Sequence, residues 1–330
     1  MIEPPGSVLN GKALVMAPMA ELSHAAFRRL VESFGGCDLY FTEMLSAGAL
    51  MSVSPYEKFY TDLSPSPEKT VLQLVGSRSE QFFTAAQRFR HLPFAGLDVN
   101  MGCSVGTIRN RGWGVELMKN PEEALRIIAG LRRIVPDKWL SVKLRLGEEE
   151  DGENLVRFCR NLEAEGVDFI TLNPKIRRDG PLRPGRWEYV RLLKDSLKIP
   201  VVGNSDIKDW ASFSSRKTAA SPAGYMVARG CVIRPWIFAL LKGKMKDPDF
   251  GFSVNLETAA RDFMELLREY QPEDFHLSRS RRFFFYFSSN LKFGHRIRYR
   301  IQNVVSLTEV KNLITEYFER NPEERILQAD

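Results

Sequence analysis

Polar side chains stand at the ends of short apolar segments throughout this 330-residue chain, and they are the groups best suited to chemistry. One of them is Cys103, which follows Asn100 and Gly102 directly after an apolar segment. Because a thiol is largely protonated at neutral pH, such a group can serve as a proton donor. We interpret the other three cysteines as small buried apolar residues, the usual state of a lone cysteine: Cys37, Cys159 and Cys231.

Seven further apolar segments contain or end in polar groups of the same kind. In chain order these groups are Pro18-Met19-Ala20, Thr42-Glu43-Met44, Gln73, Lys143 with Arg145, Asn173-Pro174-Lys175, Asn204-Ser205-Asp206 and Ala228-Arg229-Gly230. One such coincidence carries little weight. Eight apolar segments that each carry such a group, in chain order, are difficult to attribute to packing, since polar side chains at the ends of buried strands fill no apolar core.

The apolar segments indicate the elements that position these groups. They are rich in Val, Leu and Ile, begin about every 30 residues and alternate with helical patterns, which is typical of βαβ units. The predicted strands are 13–17, 39–43, 71–76, 97–101, 140–146, 169–173, 201–204 and 225–228. Eight units in series predict an α/β fold, a (β/α)8 TIM barrel, with an open doubly wound sheet as the alternative.

The pattern changes after Trp236, where no further βα unit follows. Helical patterns cover 256–270, 279–291 and 308–320, and the segment 242–252 contains Gly243, Pro248 and Gly251. We therefore predict a catalytic barrel over residues 1–242 and a small C-terminal all-helical domain over residues 243–330.

The net charge is +6, from 47 Lys and Arg against 41 Asp and Glu, and its location matters more than its size. Residues 276–308 contain no acid but seven Lys or Arg with interspersed aromatics, and residues 175–191 form a second basic stretch. Such segments can bind a phosphate backbone, although a solvated helix face is the alternative. We expect the aromatic run 283–287 to be core.

Other classes of protein find no support in the sequence. There is no apolar run long enough for a membrane helix, no secretory signal, no CxxC pair and no His/Cys/carboxylate cluster with metal-ligand spacing. We therefore expect a cytoplasmic protein without metal or membrane partners. A dinucleotide Gly-x-Gly-x-x-Gly motif opening a βαβ unit is also missing.

The sequence resembles the flavin-dependent tRNA-dihydrouridine synthases from about residue 13 to residue 238, and more weakly through the tail. The motif Asp-x-Asn-x-Gly-Cys stands at 98–103 and a Gly-x-Gly loop at 112–114. Supporting motifs are Ala-Pro-Met at 17–19, Thr-Glu-Met at 42–44, Gln73, Lys143 to Gly147, Asn204 with Asp206, and Arg229-Gly230 before Pro235-Trp236.

The resemblance implies a bound FMN at the barrel mouth. Backbone of Pro18, Met19 and Ala20 would surround the flavin ring, and Gln73 and Lys143 would contact its polar edge. Asn173 remains able to hydrogen-bond to the flavin. The residues that would hold the ribityl phosphate are Asn204, Ser205, Asp206, Ala228, Arg229 and Gly230. NADPH would bind only transiently, as the hydride donor.

The resemblance also implies the reaction, which is reduction of uridine to 5,6-dihydrouridine in tRNA. Cys103 would protonate C5 of the base, and Asn100 and Arg145 would contact the uracil. The basic residues expected to bind the RNA are Lys175, Arg177, Arg178, Arg281, Arg296 and Arg298. A monomer is expected.

Two departures from the family pattern leave alternatives open. Asn173-Pro174-Lys175 stands where the family usually has His-Gly-Arg, and Ser104 stands where it usually has Pro. The alternatives are dihydrouridine formation in ribosomal RNA, a small-molecule flavin oxidoreductase of the dihydroorotate-dehydrogenase type, and a flavoprotein or RNA-binding module that has lost catalysis.

Overall fold

Eight parallel strands close into a barrel in the computed structural model, which describes residues 5–51 and 54–330. The strands are β1 (Ala13–Met16), β2 (Tyr40–Ser46), β3 (Thr70–Val75), β4 (Gly96–Met101), β5 (Trp139–Leu144), β6 (Phe169–Leu172), β7 (Val201–Asn204) and β8 (Gly224–Val227). Strands β2 to β8 pair in chain order and β8 pairs with β1. The Met16 N–H donates to the Leu39 carbonyl (2.9 Å), which closes the ring. The predicted (β/α)8 barrel is confirmed, and the open-sheet alternative is wrong.

Helices precede β1, connect the successive strands and follow β8. They are α1 (Pro5–Val8), α2 (Ala25–Ser33), α3 (Glu57–Tyr60), α4 (Ser79–Phe89), α5 (Gly106–Arg109), α6 (Pro121–Ile134), α7 (Gly152–Ala164), α8 (Glu188–Ser196), α9 (Trp210–Ala220), α10 (Arg229–Ile233) and α11 (Ile237–Lys246). Local sequence explains individual starts. In α6, the Asn120 side chain accepts from the Glu123 N–H, and Pro121 occupies a position that needs no N–H.

The inside of the barrel changes from apolar to polar along the strands. A floor cluster fills its amino-terminal end with residues in or next to every strand, together with Leu9 from the segment before β1: Leu9, Ala13, Val15, Ala17, Leu39, Phe41, Val71, Ala95, Trp139, Phe169, Val202 and Met226. Side chains two residues further along a strand share the same face. At those positions stand Gln73, Ser141, Thr171 and Asn204, all buried. The inward faces therefore carry polar groups towards the carboxyl ends.

After α11 the chain forms a mainly helical tail, as predicted. Its elements are β9 (Phe252–Asn255), α12 (Leu256–Tyr270), α13 (Glu273–Phe287), α14 (Gly294–Asn303), α15 (Leu307–Arg320) and β10 (Ile326–Ala329). Strands β9 and β10 pair antiparallel, a small sheet that the sequence did not indicate. Helix α11 runs across the predicted division at residues 242–243, and that division stays a prediction.

The aromatic run of α13 is divided between core and surface. Phe283, Phe284 and Phe287 are fully buried, and the Phe283 ring stacks on Phe263 of α12 with centroids 3.8 Å apart. Phe285 is 42% exposed. The core interpretation therefore holds for three members of the run and is wrong for Phe285. No helix in the described ranges is long and apolar enough to cross a membrane.

This division predicts stability losses of different size for two nearby substitutions. Phe283→Ala should lower the free energy of unfolding by about 3–5 kcal/mol, because it leaves a cavity between α12 and α13. Phe285→Ala should lower it by less than about 1 kcal/mol, because that ring is already partly solvated. Urea denaturation of both variants measures the difference. Equal losses would contradict the described packing of α13.

Candidate active site

A cavity of about 840 Å³ opens at the carboxyl ends of β5 to β8. Nine residues predicted from the sequence line it: Arg145, Asn173, Lys175, Asn204, Ser205, Asp206, Ala228, Arg229 and Gly230. Lys208 and Arg216 also line it, as do Phe285 and Tyr286 of α13. The tail therefore supplies part of the wall of a cavity that begins in the barrel.

The charge of this cavity is positive. Its lining includes five cationic side chains and one carboxylate, that of Asp206. That carboxylate accepts from the Gly185 N–H (2.8 Å), the Ser205 hydroxyl (2.8 Å) and the Lys175 ammonium (3.1 Å). Although burial opposes it, these contacts hold the pKa of Asp206 below its usual value. Asp206 therefore organises the wall, while the remaining cations suit an anionic ligand.

Backbone comes close to the cavity where β8 leads into α10. A Cβ atom at Gly230 would lie 2.3 Å from the Ile207 carbonyl oxygen, so only glycine fits there. Arg229 donates to the Pro181 carbonyl (3.1 Å) from the loop after β6. Asn173 Oδ1 and Thr171 Oγ1 are buried and have no hydrogen-bond partner within the described residues. Buried polar atoms are normally paired, so these two are suited to a bound polar ligand.

A hydrogen-bonded relay crosses the barrel interior from β5 to the loop after β4. The Ser141 hydroxyl donates to Asp98 (2.6 Å), and the Gln73 amide donates to the other oxygen of Asp98 (2.7 Å). Asn100 then donates to the Gln73 carbonyl oxygen (2.9 Å). An ionised carboxylate can only accept hydrogen bonds, so Asp98 determines which way the Gln73 amide faces. The Gln73 amide in turn orients Asn100.

The relay ends at Cys103. The Asn100 side-chain oxygen Oδ1 accepts from the Cys103 N–H (3.0 Å), and Gly114 packs against the Cys103 backbone carbonyl. Gly114 has φ +65°, and a Cβ atom there would lie 2.4 Å from that carbonyl oxygen. Cys103 is partly exposed, whereas the other three cysteines are buried, as predicted. Burial also raises the pKa of each of those three thiols. Cys103 is therefore the cysteine whose thiol solvent and a ligand can reach.

Two ionisable groups stand in or next to the relay: Asp98, which is fully buried, and Lys143, which is partly buried opposite Asn100. Burial raises the pKa of Asp98 to about 6, despite its hydrogen bonds to Ser141 and Gln73. Burial and the nearby Arg145 lower the pKa of Lys143 to about 8, while Asp98 and Cys103 act in the opposite direction. The Lys143 ammonium forms no hydrogen bond or ion pair with any described residue. Strongly shifted ionisable groups of this kind are typical of functional sites.

The remaining sequence-predicted residues lie in less uniform settings. Arg145 donates to the carbonyls of Gly102 (2.9 Å) and Ile176 (3.2 Å), so it holds two loops together. The Met19 N–H donates to the Ser23 hydroxyl (2.9 Å), and the loop 17–24 to which Pro18 and Ala20 also belong lies outside the lining of the cavity.

The predicted RNA-binding residues are not equally available. Lys175 is buried against Asp206, and Arg177 forms an ion pair with Glu148 (2.5 Å). Arg281 donates to the Val304 carbonyl (2.5 Å). By contrast, Arg178 and Arg296 are exposed, and the guanidinium of Arg298 lies 4.6 Å from the centre of the Phe285 ring.

Sequence reasoning missed several residues of this region. Lys208 lies only two positions after Asp206, and that proximity was the available signal for it. Arg216 lies on α9, whose apolar residues follow no clear helical spacing, so the sequence does not indicate which way it faces. Asp98 belongs to the motif at 98–103, and no role was predicted for it. The signal available for Asp98 was its position between the inward-facing Gly96 and Asn100 on one strand.

A parallel (β/α)8 barrel with a cationic cavity and a partly exposed cysteine at its carboxyl end is an enzyme architecture, because barrel active sites lie at that end. Within the described residues, no group of His, Cys, Asp or Glu is placed to hold a metal ion. Residues 15–322 match the family model described as dihydrouridine synthase (Dus), and the chain belongs to that family.

Curated relatives agree with this assignment. A probable tRNA-dihydrouridine synthase of Rhodobacter capsulatus is 30% identical over 275 residues, which cover 82% of this chain and 84% of the relative. The tRNA-dihydrouridine(16) synthase of Neisseria meningitidis serogroup B is 27% identical over 317 residues, covering 92% and 94%.

Solved structures show the same fold at low identity. A 2-naphthoyl-CoA reductase complex has a TM-score of 0.53 at 12% identity, and the match covers 72% of this chain and 50% of that one. Histamine dehydrogenase from Rhizobium sp. 4-9 has a TM-score of 0.52 at 13% identity, covering 77% and 49%. Both likenesses concern the fold alone.

The raised pKa of Asp98 predicts a pH dependence of stability. A carboxyl with a pKa near 4 when unfolded and about 6 when folded binds more protons in the folded state between those values. Its contribution therefore becomes less favourable by about 3 kcal/mol as the pH rises from 4 to 6. Asp98→Asn removes this dependence, because an amide does not titrate in this range. The variant keeps both contacts, since Asn can accept from Gln73 and its NH2 group can donate to the Ser141 oxygen.

The measurement is urea denaturation of the wild-type protein and Asp98→Asn at pH 4.5, 5.5 and 7. The stability of the variant relative to wild type should rise across this range and then level off. A difference that does not change with pH would show that Asp98 titrates normally.

Proposed function

We propose that this protein is a flavin enzyme of the cytoplasm that reduces uridine in tRNA to 5,6-dihydrouridine, using FMN and a transiently bound NADPH. The observation that carries the proposal is the relay that orients Cys103 beside a cationic cavity at the barrel mouth. Membership of the dihydrouridine synthase family and the names of the curated relatives support it.

The residues present fit FMN. The cationic cavity and the close backbone at Gly230 suit the phosphate group, with Arg229, Lys208 and the Ser205 backbone nearby. The unpartnered oxygens of Thr171 and Asn173 suit the polar parts of the ligand. Lys143 and Gln73 would face the polar edge of the ring, where a cation stabilises negative charge. FMN, when bound and reduced by NADPH, would supply the hydride for C6 of the uracil.

Cys103 would supply the proton for C5. The thiol gives up its proton as the carbon–hydrogen bond forms, and the resulting thiolate regains a proton from solvent, to which it is accessible. Lys143 interacts electrostatically with Cys103 and would stabilise that thiolate. The Asn100 side-chain oxygen holds the Cys103 backbone in place, and its amide nitrogen donates to Gln73 (2.9 Å) and faces the Met44 sulfur (3.9 Å). Sulfur is a weak acceptor, so a carbonyl of the base would replace it at that N–H. Ser104 follows in the same loop.

The RNA would have to present its target base out of the stack, because the reacting groups lie inside the barrel mouth. The cavity wall includes Phe285 and Tyr286 of α13, whose rings could receive neighbouring bases. Arg296, Arg298 and Arg178 are the predicted basic residues best placed to bind phosphates. A small substrate would need no such surface, so RNA is favoured over a dihydroorotate-like molecule.

Cys103→Ala tests the proposed acid. The variant should still bind flavin and let NADPH reduce it, because neither step needs the thiol. Dihydrouridine formation should fall by at least about 100-fold, the usual contribution of a general acid. The measurement is an absorbance spectrum, followed by incubation with tRNA lacking dihydrouridine and mass spectrometry for a gain of about two daltons on uridine.

The outcomes separate the alternatives. Unchanged turnover in Cys103→Ala would remove Cys103 as the proton donor. Flavin binding by the wild-type protein without modification of tRNA would favour ribosomal RNA or a small substrate. Absence of flavin would refute the proposal.

Two arginines of α14 that form no ion pair with a described residue make a separate prediction: Arg296 is exposed and Arg298 is partly exposed. Replacing Arg296 and Arg298 with Ala should weaken tRNA binding by about tenfold and reduce the salt dependence of the affinity by about one to two phosphate contacts. Arg300→Ala is the matched control, because Arg300 on the same helix is already paired with Glu316 (2.6 Å). Filter binding at several salt concentrations gives both quantities. Equal effects in all variants would argue against a specific surface.

A further inference from the structure

The carboxylate of Glu43 is buried between the barrel and the tail, and each of its oxygens holds a different segment. Glu43 lies on β2 and is 4% exposed. One oxygen accepts from the Glu21 N–H (2.6 Å), and the other accepts from the Arg279 guanidinium (2.9 Å) on α13. Arg279 is itself 2% exposed. Burial raises the pKa of Glu43, and Arg279 is the main group that opposes this rise.

The segment that Glu43 holds on one side is the β1 loop, residues 17–24. Glu21 has φ +63°, a left-handed conformation that is unfavourable for a residue with a side chain. The hydrogen bond from its N–H to Glu43 is thus part of what keeps the loop in this shape. The same loop contains Pro18, Met19 and Ala20, the backbone proposed to surround the flavin ring.

The segment on the other side is a helix that also reaches the cavity. Arg279 lies on α13, and its guanidinium packs over the rings of Phe275 (4.9 Å) and Tyr60 (5.7 Å). Two turns further along the same helix, Phe285 and Tyr286 line the cavity. A displacement of α13 would therefore shift Glu43 and, through its second oxygen, the β1 loop.

We infer that Glu43 and Arg279 are positioning residues through which the helical tail holds the flavin-facing β1 loop in its binding conformation. The inference rests on the proposed function, since it assumes that FMN lies against Pro18 to Ala20. It assigns to the tail a part in cofactor binding, in addition to the proposed contact with RNA. Arg279 lies outside the cavity lining and contacts the β1 loop through Glu43. Arg282 of the same helix lies 3.9 Å from the Glu21 carboxylate and is a second, weaker link to that loop.

The test is the dissociation constant of FMN, measured by fluorescence titration of the full-length flavin-free protein. Arg279→Gln should raise it about tenfold, within the range of typical coupling between sites. Arg279→Lys keeps the charge and should restore most of the affinity. Tyr56→Phe is the matched control. It removes another contact between the barrel and α13, from the Tyr56 hydroxyl to Asp274 (2.6 Å), without touching the β1 loop.

Arg279→Gln leaves a buried charge on Glu43 and could unfold the protein. The double variant Glu43→Gln/Arg279→Gln has no such charge, and its dissociation constant should still rise at least about threefold. Circular dichroism establishes that each variant is folded. A folded Arg279 variant or double variant with wild-type FMN affinity would overturn the inference, as would an equal loss in Tyr56→Phe. No FMN binding by the wild-type chain would instead refute the proposed function.

Discussion

A carboxylate without access to water must be surrounded by donors, and the interior of this barrel is arranged around one such group. Asp98 is fully buried, and Ser141 and Gln73 donate to its two oxygens from the strands on either side. Because an ionised carboxylate offers no donor, the direction of every later hydrogen bond is determined, through Gln73 and Asn100 to the backbone of Cys103. The placement of the Cys103 backbone thus depends on a carboxylate that lies two residues before Asn100 on the same strand, β4.

The barrel meets this requirement by changing composition along its axis. Large apolar side chains such as Trp139 and Phe169 fill the amino-terminal end, and polar residues of the same strands follow two positions later. The apolar end contributes burial, while the polar end carries unpaired oxygens and shifted ionisable groups that a folded core would otherwise avoid. Stability and chemistry are therefore assigned to different ends of the same strands.

The sequence was sufficient for the strands and for most of the cavity, because apolar runs at regular spacing are a local signal. The predicted phosphate-site residues from Asn204 to Gly230 line one cavity, as does Asn173. The ion pairs between side chains could not be predicted from the sequence, because they depend on contacts between residues far apart in the chain. Lys175 and Arg177 looked like RNA-binding cations, yet Asp206 and Glu148 neutralise them. For the same reason the run 283–287 gave no sign of which rings would face the cavity.

The floor cluster has a consequence for the order of events. A barrel whose amino-terminal end is filled by Trp139, Phe169, Phe41 and Met226 is open to ligands only at the carboxyl ends of its strands. A group bound at that open end can be approached from one side only. Two large partners that both need to reach it must therefore take turns, the first leaving before the second arrives. Alternation of this kind follows from the plugged shape of the barrel, whatever the identity of the partners.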